Sequence, residues 1–380
     1  MNVCDFVIHL DEHDGWLSAH GDGRPSVGEA TNRIRIEELQ FLKEYGSILQ
    51  DDGPNLREAG VSLGAKLFHA LFGNNLKKLF SHAMKEVVRS NSVLRIVLKY
   101  DLASRTDTST VHEIPWELLY DPERASFLSY DENILLVRYL RGNGRMWEAP
   151  SRQLYVLLTT ACPKNQQPLQ FEKELEVVKS LLEKKRDETD FQELRHISGS
   201  RLIQAFNFAR TTRSFHIWHH GGHGRDADGA FRLILHSKNG EPDSALEMVG
   251  AGAIAETVAG HPELQLVILN VCLGAGKRGL ASLVADLDVP AVVGYCSKIQ
   301  DQTAVKFAST FWRKLFIMPV DEAVQKTRAV IAGETNRLEF ARVSLFLRSL
   351  DRPVLIEPEL AAGSASKRMN RFSREAGGRS

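Results

Sequence analysis

The sequence predicts an α/β protein with a mostly parallel sheet and helices on both faces. Three observations point there. Near-continuous apolar runs, QLYVLLTTACP (153–163) and LQLVILNVC (264–272), suit strands buried on both faces. They alternate with amphipathic segments, the clearest being LQFEKELEVVKSLLEKKRD (169–187), whose Phe171, Leu175, Val178, Leu181 and Leu182 form one apolar stripe. Finally, two chemically reactive residues fall just past strand ends, where functional groups gather in such sheets.

The elements follow in order. Residues 1–45 read as short strands with turns: CDFVIHL, GWLSAHG and RIRIEEL. Residues 55–90 read as helix, with Leu63, Leu67, Leu71, Leu76 and Leu79 at helical intervals. SVLRIVLKYD is strand-like, IPWELLYDP opens at a proline, and ENILLVRYLRG is a further strand. RGNGRMWEAPSR (141–152) has the Gly/Pro/Arg composition of a linker. Beyond it QLYVLLTTACP is a strand, the stripe above a helix, FQELRHI a strand, SRLIQAFNFART a helix and SFHIWHH a strand. AFRLILHS and LQLVILNVC are strands, LASLVADLDV a helix and PAVVGYC a strand. TAVKFASTFWRKLF and VDEAVQKTRAVIAG are amphipathic helices, and RPVLIEP is a closing extended run. This divides the chain into a first half (1–148), a second half (149–358) and a small, polar, basic tail (359–380) expected to be disordered. No internal repeat is visible.

Bulk composition narrows the class. With 43 % apolar and 25 % charged residues and a formal charge of zero, the chain reads as a soluble globular protein. Nothing in that balance invites nucleic acid or an anionic membrane. MNVCDFVIHLDEHDG lacks the basic and apolar regions of a signal peptide, and no apolar stretch is long enough to span a bilayer. Cys4, Cys162, Cys272 and Cys296 are scattered and lack CxxC spacing, which argues against a disulfide scaffold or a structural zinc site. A reducing, cytoplasmic setting without a cofactor is the expectation.

The chemistry concentrates in FHIWHHGGHG and VILNVCLGAG. His223 and Cys272 each stand where an apolar strand runs into glycines, so each side chain can sit at a sheet edge with little cover. A thiol and an imidazole so placed are a cysteine nucleophile and its acid–base partner. A glycine at Gly224 lets the backbone turn its N–H toward a substrate carbonyl, and the N–H of Cys272 is a second oxyanion donor. The duller reading is a buried strand cysteine and a turn histidine. Among His216, His219, His220 and His223, only His223 is bracketed by Gly222 and Gly224.

Two other motifs compete. GAGKRG (Gly274, Gly276, Gly279) fits GxGxxG, but neither Asp286 nor Asp288 lies at the end of the following strand. His219 and His223 have the i, i+4 spacing of a metalloprotease helix, yet Gly221 and Gly222 oppose a helix and His220 stands where the general-base Glu belongs. Glu172 and Glu174 read as a solvated helix start. Asp301 reads first as a helix cap and second as a pocket residue, and Trp116 as core between the halves.

With these residues in view, the chain resembles the CHAT-domain proteins, a family of caspase-like cysteine peptidases related to the separases. The resemblance spans roughly residues 55–355 and rests on IPWELLYDP, LYVLLTTACP with its helix, HHGGHG, VILNVCLGAG and PAVVGYCSKIQDQTAVKFASTFWRKL. It implies a caspase-like second half that is catalytic and a degenerate pseudo-caspase first half beside it. By position it makes His223 the catalytic histidine and Cys272 the nucleophile, with Gly224 and Cys272 N–H groups as oxyanion hole. The residue two before the cysteine lines the substrate pocket in such enzymes. Here it is Asn270 rather than the Asp of relatives that cut after basic residues, and Asp301 is the acid that could replace it. The implied partners are a protein substrate, for bacterial relatives a dedicated one such as a gasdermin, and a regulatory protein. A non-catalytic scaffold with a relic site is the alternative.

Overall fold

The computed structural model describes residues 2–13, 16–23, 28–42, 56–100, 111, 114–140, 153–164, 166, 170–227, 230–237, 245–258, 260–271, 289–334 and 338–350. Alternation makes the first strand: in β1 (Val3–His13) Phe6, Ile8 and Leu10 are buried while their neighbours are less so. β2 (Trp16–Gly23) and β3 (Gly28–Arg35) continue from it as an antiparallel meander. The long helical stretch of the sequence is two helices, α1 (Leu56–Phe72) and α2 (Asn75–Arg89), broken at Gly73, which takes a positive φ of 50°. β4 (Val93–Tyr100) then runs parallel to β1. A short turn of helix at Trp116–Leu118 and the two-residue strands β5 (Tyr120–Asp121) and β6 (Ser126–Phe127) lead into β7 (Ile134–Leu140), parallel to β4. Trp116 is fully buried, its indole N–H donating to the Val111 carbonyl at 3.0 Å.

The remaining elements alternate strand and helix. They are β8 (Leu154–Ala161), α3 (Phe171–Lys184), β9 (Thr189–Leu194), α4 (Gly199–Thr211) and β10 (Ile217–Ala227). β11 (Ala230–His236), β12 (Leu246–Gly250), α5 (Ala251–Val258), β13 (Leu266–Val271) and β14 (Ala291–Tyr295) follow. α6 (Asp301–Leu315), α7 (Val320–Glu334) and β15 (Val343–Leu347) complete the described chain. β12, α5 and β15 are elements the sequence reading did not anticipate. The expected helix over 280–289, the run RPVLIEP and the tail lie outside the described residues, as does the boundary between the halves at 148/149.

One sheet runs through both halves. β9, β8, β10, β13 and β14 are mutually parallel, and β15 turns antiparallel to β14. β15 then lies parallel to β7, and β4 and β1 follow in the same sense. Helices cover both faces as expected. α3, α6 and α7 pack one core with Ile268, Val293 and Leu345, and α2, α4 and α5 another with Phe6, Trp218 and Leu269.

The join between halves is held by a polar stripe on α7. Asp321, Gln325 and Arg328 stand at i, i+4 and i+7, each about 2 % exposed or less. Asp321 pairs with Arg95 of β4 at 3.3 Å, and Gln325 donates to the carbonyls of Tyr130 and Asp131. Arg328 donates to the carbonyls of Val343 in β15 and Leu136 in β7 and lies 3.7 Å from Glu117. Glu117 itself is gripped by Arg138 at 2.9 and 2.5 Å. Burial would push the Glu117 carboxyl up, but Arg138 and then Arg328 outweigh it and hold it below the usual range. Burial lowers Arg328 to about 10. Removing Glu117 leaves two guanidinium groups without their counter-charge in a dry site. Glu117→Ala is therefore expected to cost about 3–5 kcal/mol in a urea titration, while Glu123→Ala, at the exposed Lys77 pair, leaves the midpoint where it is.

Candidate active site

β10 carries the sequence IWHHGGH through the middle of the sheet, and strand alternation sends its side chains to opposite faces. Trp218 and His220 point toward the α4 side. There the Thr159 hydroxyl accepts from the Trp218 indole at 2.9 Å and lies 2.9 Å from His220 Nδ1. His219 points toward α3 and α6. The Trp312 indole of α6 donates to His219 Nδ1 at 3.1 Å, which makes Nε2 the protonated nitrogen, and this N–H donates to Glu174 Oε1 of α3 at 2.6 Å. Glu174 is thus not a solvated helix-start residue: it is 3 % exposed and committed to His219, whereas Glu172 is exposed. His216, just before the strand, accepts the Tyr155 N–H on Nδ1 at 2.9 Å. These three histidines are parts of the core.

The strand also decides the metal question for His219 and His223. Four residues along a strand separate two side chains by about 13 Å, against about 6 Å on a helix. No one ion can bridge them.

His223 is the half-buried member of the run. It lies where β10 changes neighbours. Up to Gly222 the strand is flanked on both sides, Gly222 pairing with Ala161 of β8 and Val271 of β13. From His223 onward it pairs antiparallel with β11, His223 opposite Ile234 and Gly224 opposite Leu233. Gly222 is required here, because a Cβ would stand 2.9 Å from the Ala161 carbonyl oxygen and 2.9 Å from His220 Nε2. The His223 ring meets the edge of Phe171 in a T-shaped contact at 6.1 Å, and its Nε2 is 4.0 Å from Cys162 Sγ. Cys272 lies outside the described residues, as does the GAGKRG loop.

A small cleft opens beside Gly222, lined by Phe171, Glu174, Asn270, Ile299 and Asp301. Asn270 is 6 % exposed on β13, opposite Gly221, and its Nδ2 has no hydrogen-bond partner among the described residues. Asp301 is not the cap the sequence suggested. Gln300 occupies the cap position and Asp301 is the first residue of α6, turned into the cleft. Burial raises the Asp301 pKa, a rise partly offset by His223, the Gln170 backbone N–H and Lys298. The sequence reading missed the His219–Glu174–Trp312 and His220–Thr159–Trp218 networks and the approach of Cys162 to His223. The match of β8 and β10 as neighbouring strand ends was the one signal for the last.

With this geometry in place the comparisons are direct. The CHAT domain family model matches residues 65–346. The chain belongs to the CHAT family. A chain of the Saccharomyces cerevisiae separase–securin complex matches this CHAT protein with a TM-score of 0.52 and 11 % identity, over 90 % of this chain. A second structure of that complex gives 0.49 and 12 %, also over 90 % of this chain. In both, this chain spans 30 % of the length of the one it matches. A secreted C11 cysteine protease from Bacteroides thetaiotaomicron, bound to an irreversible peptide inhibitor, matches with a TM-score of 0.35 at 9 % identity, over 48 % of this chain and 60 % of that one. The CHAT fold seen here is caspase-like. No helix among the described residues is long and apolar enough to cross a membrane.

The core histidines give the fold a pH dependence. Burial, with Arg213 second, lowers His216 to about 4; burial, with His219 second, lowers His220 to about 3. Both lie below the ordinary 6.5, so the unfolded chain takes up protons first as pH falls. Stability is therefore flat above about pH 6.5 and declines between there and pH 3–4, by about 2 kcal/mol per histidine at pH 5. Urea midpoints measured from pH 7.5 to 5 should show the decline, and His216→Gln should make it shallower.

Proposed function

We propose that this CHAT protein is a cysteine endopeptidase with Cys272 as nucleophile and His223 as its acid–base partner. The observation that carries the reading is the register of β10 and β13. Val271 and Gly222 are paired, and the residues that follow them in the chain are Cys272 and His223. In the reaction His223 takes the thiol proton as sulfur attacks the scissile carbonyl, and returns it to the leaving amine. The N–H groups of Gly224 and Cys272 stabilise the oxyanion, and water then releases the acyl group from sulfur. The chemistry uses no cofactor.

Asn270 and Asp301 form the substrate pocket in this reading. Asn270 offers an amide without charge, and Asp301, at the mouth of the same cleft, supplies the negative charge for a basic residue before the scissile bond. The target is a dedicated protein in the cytoplasm, with a gasdermin-like partner in bacterial defence as the specific candidate. Regulation by a bound protein is proposed by analogy with the separase–securin complex. Nucleic acid and membrane have no part in it.

Cys272→Ala and His223→Ala should each lower cleavage of the target at least about a thousandfold with unchanged circular dichroism. Cleavage retained by either variant, or a thiol-directed probe that fails to label Cys272, returns the protein to the scaffold class. Asp301→Ala should cut turnover of peptides with Lys or Arg before the scissile bond about thirtyfold, the scale of a lost buried charge partner, and leave peptides with an apolar residue there nearly unaffected.

A further inference from the structure

His223 has a thiol neighbour among the described residues. β10 is flanked by β8 and β13 at one level, Ala161 and Val271 both pairing with Gly222. The residue after Ala161 is Cys162, and its sulfur lies 4.0 Å from His223 Nε2. This placement is built into the fold. The Cys162 N–H donates to Nε2 of His236 at 3.1 Å, and His236 is fully buried, its ring set edge-on against His196 at 5.2 Å. The backbone of Cys162 is therefore anchored independently of its side chain. Gly222 allows β8 and β10 to approach closely enough for the contact to form.

The His223 imidazole is within reach of the Cys162 thiol, at the distance of a weak S–H donor to a ring nitrogen.

We propose that Cys162 is a positioning residue for His223: its S–H donates to Nε2 and biases the ring to one orientation while the imidazole is neutral. A cysteine–histidine pair needs some third group to orient the base, and Phe171 on one flank with Cys162 on the other meets that need. The contact is long, so it biases the ring without locking it. The proposal rests on His223 being the acid–base group.

Two measurements test it, the second separately from that reading. In Cys162→Ala, kcat should fall about tenfold with KM within twofold, and Cys162→Ser, which keeps a donor, should recover to within about threefold. Independently of any substrate, the His223 ring should be followed by NMR titration in a Cys272→Ala background with and without Cys162→Ala. A donor to the neutral ring favours the neutral form, so its removal should raise the His223 pKa, by about half a unit. An unchanged titration overturns the proposal, as does equal loss of activity in the Ser and Ala variants. A shifted titration in a protein that cleaves nothing would uphold the Cys162 contact while removing the peptidase reading.

Discussion

Everything at the candidate site follows from one constraint, the two-residue alternation of β10 between its parallel neighbours. The strand is buried from both sides, so each of its histidines must be either bonded or placed at an edge. Alternation assigns His219 to the face of α3 and α6, where Trp312 and Glu174 use both ring nitrogens. It assigns His220 to the opposite face with Thr159. His223 returns to the first face, but at the level where the flanking strands have ended. It is the one histidine of the strand that is only half-buried. A one-residue slip in register would exchange these roles and put an imidazole where Gly222 must be, against the Ala161 carbonyl.

The first half of the chain contributes to this arrangement through the sheet. β15, the last described strand, is inserted between β14 and β7 and runs against the former and along the latter. Its antiparallel turn reverses the sense of the sheet between the halves. The buried stripe of α7 lies over that seam, and the backbone carbonyls it caps belong to β7, β15 and the Tyr130–Asp131 turn. The charges there are expensive to bury and are tolerated because each is bonded to several partners. The same groups specify which strands meet, since a misplaced β15 would leave Arg328 without its Val343 acceptor.

The fold class was legible because its strongest strands are apolar without interruption, and a run such as LVILNV has no other soluble destination. The half-buried place of His223 where β10 changes partners was legible for a local reason, the glycines on either side. What could not be read was whatever depends on partners distant in sequence. Glu174 looks solvated in its own helix, and only His219, 45 residues on, shows otherwise. Asp321, Gln325 and Arg328 form a polar stripe, which by helical periodicity reads as a solvent face; the structure buries it because the other half supplies matching polar groups. The place of Asp301 between a strand and a helix suggests a cap, a position it misses by one residue. VSLFL was passed over because it is short and follows a helix without a turn signal. The helix expected at 280–289 and the proposed nucleophile Cys272 fall outside the described residues.

The location of the proposed chemistry follows from where β10 changes its partners. Along Ile217–Gly222 both edges of β10 are occupied by ladders, and no side chain there can approach an external carbonyl. At His223 the strand leaves β8 and takes β11 as its partner. His223 is half-buried at this change of partner, while its backbone remains fixed by the strand before it and the hairpin after it. A base on a loop would have the freedom without the fixed backbone, and a base deeper in the strand the reverse. The glycines at 221 and 222 serve the same end, since they keep the approach to this residue clear on the Phe171 side and the Ala161 side alike. Rigidity of support and access for a reacting group, which usually oppose one another, are met here at a single position of the chain.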